Sequence, residues 1–363
     1  MAETTVLRTR SRIEWMGRHS GYDRGCDFLD GCSEEWRFVD VYRRADRLGP
    51  LRVRYFEHRR RRYSESPSYD MYSYLLEREV QRTAATERPD LVHLMYLEKD
   101  LGLLQDRTKI GASALIATAH QPRSWWRMAH GRPEVVQSLD GLIALTDREA
   151  DFWEQFLPGR VSVARHGIDV DFFCPSHSTT ISESEPRCLV VGHWQRDFAT
   201  LAGVVDVLLK RIPEIGFDIV IPRVVRSVDL LMPLARHDSV RFREGLTDEE
   251  LLELYRRSTV LLLPMLAATA NNAILEAQAC GLPIVSTDVD GVASYVTPAF
   301  ADLVPVGDVQ ALVDAVIRLI ESDEEREERG RAGREHAVEQ LSWRRLAPLV
   351  LDAYERVLQR GTG

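Results

Sequence analysis

Residues 263–281 read LPMLAATANNAILEAQACG, and the order of residue types in that stretch decides the fold. A strand-like apolar run closes at Pro264. Small and polar residues follow, and a helix pattern then opens at Asn271 or Asn272 and carries Glu276, Ala277 and Ala279. Asparagine caps helices well because its side-chain oxygen accepts from a first-turn amide. The leading amides of a helix lack intrahelical partners, and with the helix dipole they attract an anion such as phosphate. Glu276 stands about one turn in, where a carboxylate can accept from a ribose diol. On spacing alone, an ordinary Asn-capped helix with a surface Glu276 reads equally well.

The same strand–loop–helix grammar extends to both sides. Upstream, apolar runs at 50–56, 90–95, 113–119 and 141–145 predict strands, and 69–87, 124–137 and 147–156 predict helices. Downstream, strands are expected at 187–192, 217–221, 238–242, 259–263 and 283–287. Helices fit at 198–211, 247–257, 272–280 and 308–321, with a charged helical tail over 322–360 whose EEREERGRAGREH stretch reads as a solvated face. Strands alternating with helices imply βαβ units and parallel sheets. At 363 residues the chain exceeds one ordinary core, so two doubly wound α/β domains are expected, with ligands at the carboxyl ends of their strands. The polar run 177–187 reads as a linker or exposed loop.

Bulk composition removes other classes. A net charge of -9 argues against a general nucleic-acid coat. Cys26, Cys32, Cys174, Cys188 and Cys280 are scattered and odd in number, with no zinc-ligand spacing, which predicts reduced thiols and a cytoplasmic setting. No signal peptide and no apolar run of membrane-spanning length is visible. No G-x-G-x-x-G follows an early strand, which disfavours a dehydrogenase. The run FEHRRRRY, 56–63, can attract an anionic membrane surface or an acidic acceptor. Lysine occurs only at 99, 109 and 210, so arginine dominates the whole chain and the run reads first as a solvated loop or helix face.

NAILEAQACGLPIVSTDVDG resembles the donor-site segment of family-4 retaining glycosyltransferases, which have the two-Rossmann GT-B fold. That resemblance implies two Rossmann-like domains facing across a cleft. They would be an acceptor-side domain over 1–170, a nucleotide-sugar domain over 171–342, and a C-terminal helix over 343–363 crossing back to the first. It implies sugar transfer from a nucleoside diphosphate donor to a hydroxyl of a glycan, lipid or small molecule, with no metal and no cofactor beyond the donor. The family's ribose-holding Glu matches Glu276. Its sugar-holding Glu falls at Ala268, so either sugar contacts pass to Asn271, Asn272 and backbone groups, with Ala270 and Ala273 beside them, or the donor differs from the family's usual ones. The substitution keeps two alternatives open: a nucleotide-sugar-binding protein without turnover, and a nucleotide-sugar epimerase.

Other segments extend the resemblance. RHGIDVDFFCP, 165–175, is similar to the family's interdomain element. VGHWQRDFATL, 191–201, is similar to its phosphate-contacting turn, with Gly192, His193 at the first basic position and Arg196 at the second. EGLTDEELLELYRRSTVLLLP implies base contacts for Gly245 and Leu246, and shows a capping box from Thr247 to Glu250. On the acceptor side, HSGYDR follows a short strand expected near 12–16 and offers His19, Ser20 and Tyr22, with Gly21 allowing close backbone approach. His120, ending a strand in ATAHQP, matches the His that faces the donor sugar, and Tyr96 and Glu98 end another strand. The implied catalytic set is His120, Arg196 and Glu276. Trp343 in the tail reads as a packing anchor.

Overall fold

The computed structural model describes residues 3–10, 18–42, 49–63, 66–176, 185–226 and 231–361. The strand expected near 12–16 and most of the linker expected at 177–187 lie outside the described residues. The chain divides into two compact units. Unit 1 holds the described residues of 1–16, 22–166 and 344–363, and unit 2 holds those of 17–21 and 167–343.

In unit 1 the elements run β1 (Thr4–Arg10), α1 (Arg24–Leu29), β2 (Trp36–Tyr42), α2 (Pro50–Arg60), α3 (Met71–Glu87), β3 (Leu91–Leu94), α4 (Leu97–Asp100), β4 (Ala114–Ala119), α5 (Arg123–Met128), β5 (Gly141–Ala144), α6 (Asp147–Glu154) and β6 (Val161–Val163). Unit 2 continues with β7 (Arg187–Val191), α7 (Phe198–Arg211), β8 (Gly216–Val220), α8 (Arg223–Arg226), β9 (Val240–Arg243), α9 (Asp248–Arg257), β10 (Val260–Leu263), α10 (Asn272–Ala279), β11 (Ile284–Thr287), α11 (Asp290–Ala293), β12 (Ala301–Val304), α12 (Val309–Glu321) and α13 (Asp323–Gln340). The last helix, α14 (Trp343–Gly361), belongs to unit 1 from Arg344 onward.

Each unit is one six-stranded sheet, in the orders β2-β1-β3-β4-β5-β6 and β12-β11-β10-β7-β8-β9. Every pairing within both sheets is parallel. The strand order reverses between β1 and β3 in unit 1, and between β7 and β10 in unit 2. In open α/β sheets these reversals open a crevice beyond the strand ends, because successive connections leave in opposite directions.

Several expectations need correction. Residues 50–56 form the start of α2 rather than a strand: Pro50 sits at the first helical position, and the segment buries no residue, so no sheet face claims its apolar side chains. The helix expected over 124–137 breaks after Met128, where His130 takes a positive φ of 55° and Pro133 starts a separate 3-10 turn. Strands β1, β2, β6 and β12 fall on stretches with mixed polarity. In β1, Arg8 is buried and paired with Asp40, so charge hides inside the strand pattern.

The charged stretch 324–336 is not wholly a solvated face. Gly330, Gly333 and Ala337 form a buried stripe on α13, and Arg334 donates to the carbonyls of Val170, Phe173 and Ala279 at 2.9 Å each. Trp343 is 2% exposed and lies on Gly167, where a Cβ would overlap its indole.

The close approach of α13 to the end of α10 fixes the sign of one substitution. Alanine normally gains about 1 kcal/mol over glycine inside a helix. At Gly330, however, a Cβ would overlap the Gly281 carbonyl, which is backbone and cannot rotate away. Gly330→Ala is therefore expected to destabilise the protein by about 1–3 kcal/mol, read as a lower midpoint in urea unfolding. In α7, Gly203 meets only the tip of Val309, so Gly203→Ala serves as the near-neutral comparison.

Candidate active site

The loops that leave β7 and β10 meet at the unit 2 reversal. Arg196 and Met265 form an isolated bridge, Asp197 donates its amide to Pro264 O at 3.0 Å, and Leu266 donates to Gln195 O at 2.9 Å. Gly192 turns the first loop at a φ of 83°. The Arg196 guanidinium folds back under it and donates to the carbonyls of Val191 (2.7 Å) and Trp194 (3.0 Å), to the Met265 sulfur (2.9 Å) and to Asn271 Oδ1 (3.5 Å). Among the described residues no carboxylate pairs with it. Burial pulls its pKa down to about 10, which still leaves it a cation at neutral pH. The neighbouring His193 is pushed below its ordinary value by burial and by Arg196, so it is neutral there.

Asn271 caps α10, its side chain accepting from the Ile274 amide. Among the described residues nothing accepts from the amides of Asn272 and Ala273. Asn271 and Asn272 are half-buried, so the helix start is not sealed in the core of unit 2. Ala270 is also half-buried and packs on the core cluster, and Ala273 is 3% exposed. The loop before the cap lies against α11. A Cβ at Gly291 would overlap the Ala268 carbonyl, which explains the Gly at that position. The Thr269 hydroxyl is buried and has no hydrogen-bond partner among the described residues.

Glu276 is 2% exposed, and burial raises its pKa above the ordinary carboxylate value. Its Oε2 accepts from Tyr255 Oη on α9 at 2.7 Å. Its Oε1 accepts from Ser20 Oγ. Gly245 takes a φ of 63° after β9 and is exposed, and Leu246 beside it rests on the core cluster. The capping box of Thr247 and Glu250 forms as the sequence predicts.

Segment 18–21 therefore belongs with unit 2. His19 Nδ1 lies 2.8 Å from Asp169 Oδ2, its ring stacks on Phe172 at 3.8 Å, and its amide donates to Asp248 at 3.0 Å. His19 and Ser20, expected among the acceptor-side residues, thus make these contacts within unit 2. Gly21, at a φ of 87°, is buried and turns the chain away.

In unit 1 His120 follows β4 in a rigid cradle. Its amide and that of Gln121 each donate to Glu98 Oε1 at 2.7 Å, and its Nε2 donates to Met95 O at 2.8 Å. Tyr96 lies against its ring at 4.4 Å and Tyr22 meets it edge-on at 4.7 Å. Burial drives the His120 pKa down to about 3, so the imidazole is neutral and presents Nδ1 as an acceptor. Glu98 and Tyr22 are each 3% exposed. Neither offers an open polar tip to an acceptor: the Glu98 carboxylate holds backbone, and the Tyr22 hydroxyl lies 3.4 Å from Thr118.

The sequence reading missed Tyr255, Asp169 and Phe172. Tyr255 sits on the apolar stripe of α9 and looks like core, and nothing in its spacing of 21 residues from Glu276 marks it as a partner.

Residues 185–322 match the family model for Glycosyl transferases group 1. The D-inositol 3-phosphate glycosyltransferase of Saccharomonospora viridis is 29% identical over 326 residues, covering 78% of this chain and 75% of the relative. The MMP alpha-(1->4)-mannosyltransferase of Mycolicibacterium hassiacum is 27% identical over 290 residues, covering 71% and 69%. Among solved structures, sucrose-phosphate synthase from Thermosynechococcus elongatus superposes with a TM-score of 0.77 at 18% identity, covering 99% of this chain and 100% of that one. Anabaena Alr3699/HepE, crystallised with UDP and glucose, gives 0.67 at 13% identity, covering 97% and 100%. These likenesses show the two-domain α/β GT-B fold.

Burial raises the Glu98 pKa to about 7, above the 4.5 of a free side chain. The folded chain thus holds this proton more tightly than the unfolded one. The resulting stabilisation is complete below about pH 4.5 and is lost as pH rises through about 7. Glu98→Gln cannot titrate. Its stability relative to the wild type should rise between pH 5 and pH 8 by on the order of 2 kcal/mol, measured by urea unfolding at the two pH values.

Proposed function

The chain is a glycosyltransferase of group 1, and on that premise we propose that it is a retaining, metal-independent enzyme using a nucleoside diphosphate sugar. One observation carries the reading. A half-buried guanidinium, with no carboxylate paired to it among the described residues, stands beside the open first turn of α10. Burying an unpaired charge is costly, and the cost falls when an anion joins it. A diphosphate has the charge and the acceptor oxygens to take Arg196 and the amides of Asn272 and Ala273 together. Glu276, one turn further on, then accepts from the ribose hydroxyls, and the turn at Gly245 and Leu246 borders the base.

In the proposed reaction the bond from the anomeric carbon to the diphosphate oxygen breaks as the acceptor oxygen bonds to the same face of that carbon. The acceptor proton passes to the departing phosphate. Arg196 and the helix start offset the charge that builds on the leaving group, so the protein's share is electrostatic and positional. No paired carboxylates of the glycosidase kind are needed for this route. His120 is too weak a base to take the proton at neutral pH. Its role is to accept a hydrogen bond from a sugar hydroxyl through Nδ1. Unit 2 is thus the donor side and unit 1 the acceptor side. The acceptor class is a glycan, a lipid or a small alcohol. Peripheral contact with an anionic membrane falls to α2, which exposes Leu51 and Tyr55 among its arginines.

A thermal-shift panel of UDP, GDP, ADP and dTDP sugars should reveal one class that raises the melting temperature. With that donor, Glu276→Ala should weaken binding by about a hundredfold in calorimetry, through loss of charge-assisted hydrogen bonds. Unchanged affinity would remove the ribose role. Arg196→Gln should lower kcat by about 10²–10³. Turnover should survive EDTA, and NMR of the product should show the donor's anomeric configuration; an inverted product would overturn the mechanism.

A further inference from the structure

The carboxylate assigned to the donor already has two hydroxyl partners, and they differ in kind. Tyr255 is 1% exposed, sits mid-helix on α9, and is wedged edge-on against Phe173. It fixes Oε2 of Glu276 from within the core. Ser20 reaches Oε1 from a short irregular segment that contributes only a few residues to unit 2. A serine hydroxyl donating to a carboxylate oxygen has the chemistry of a ribose hydroxyl donating to the same atom.

We propose that Ser20 is an intramolecular competitor for the Glu276 carboxylate, seated by His19, and that it sets donor affinity by having to leave when a nucleoside diphosphate binds. The inference rests on the donor role proposed above for Glu276. The seat is built from three separate contacts on His19. Its ring lies flat on Phe172, with 7° between the planes, its Nδ1 meets Asp169, and its amide meets Asp248. Asp169 is itself fixed, 2% exposed, with its Oδ1 accepting from the Phe172 amide at 3.3 Å. The ring's platform and its carboxylate partner thus come from one turn of chain, and Asp248 opens α9, the helix that carries Tyr255. The competitor is held beside the carboxylate by contacts that do not involve Glu276. When a ribose hydroxyl takes Oε1, Ser20 is displaced, and the seat that holds its segment loosens with it. In the ligand-free chain the same bond satisfies a buried carboxylate that would otherwise lack a partner on Oε1.

The test compares wild type, Ser20→Ala and His19→Ala in calorimetry with UDP and GDP. Removing the competitor removes a charge-assisted hydrogen bond from the free state only, so Ser20→Ala should bind the cognate nucleotide roughly tenfold more tightly. His19→Ala should follow in the same direction. A second readout uses trypsin cleavage after Arg18, which is exposed. Cleavage should be slow in the free wild type, faster in His19→Ala, and faster in the wild type with saturating nucleotide. Equal or weaker binding by Ser20→Ala, in a protein where Glu276→Ala weakens binding as expected above, overturns the competition and leaves the donor role standing. Cleavage that ignores nucleotide also overturns it. If none of the three proteins binds any nucleoside diphosphate, both the competition and the reading beneath it fall.

Discussion

A half-buried cation held by carbonyls, a thioether and an amide, with no carboxylate paired to it among the described residues, is the constraint on which unit 2 turns. Arg196 ties the loop after β7 to the loop after β10 by donating to both, and those strands flank the point where the sheet reverses direction. Neutral acceptors satisfy the guanidinium's hydrogens without cancelling its charge. The helix start of α10 adds partial positive charge at the same place. Two sources of one sign converge where the fold opens a crevice, and Glu276, held by two hydroxyls, offsets part of the Arg196 charge from one turn along the helix.

The two buried glutamates show how burial alone fails to define a role. Glu98 and Glu276 are both nearly inaccessible, and both are pushed up by desolvation. Glu98 spends its Oε1 on two backbone amides that cannot move without unravelling the end of β4. Glu276 is held by side-chain hydroxyls, one rooted in a helix and one on an irregular segment. Exchange is open to the second arrangement and closed to the first. His120 takes its fixed orientation from Glu98, from Met95 O and from two aromatic rings, and its basicity is traded for that rigidity.

Much of unit 2 was legible because its strands are short apolar runs bounded by turn and cap residues. Asp197, Thr247, Asn271, Asp308 and Ser322 each cap the helix that their spacing suggests. Unit 1 was harder, for a physical reason. Its first strand carries Arg8 and Arg10, whose charges are met by Asp40 across the sheet, and a strand reading that looks for apolar alternation passes over such a pattern. Ser20 was placed with the acceptor side because chain order puts it before unit 1's helices. Only tertiary contacts carry a five-residue excursion into the other unit. Tyr255 was hidden by being a good core residue as well as a hydrogen-bond donor.

The last helix has a bearing on how the chain is made. Ala347, Val350, Tyr354 and Val357 pack on Val6, Leu91, Ile116 and Ile143, and Tyr354 Oη meets the buried His93 at 2.7 Å. Gly141 in β5 leaves room for Val357 to lie directly on the strand. One face of the first sheet is therefore clothed by residues made only after unit 2. Throughout synthesis of unit 2, that greasy surface and an imidazole meant for the interior wait without their cover. The unit begun first is covered only after unit 2 has been made, so nascent-chain chaperones have a long window in which to act, and removing α14 strikes the unit begun first.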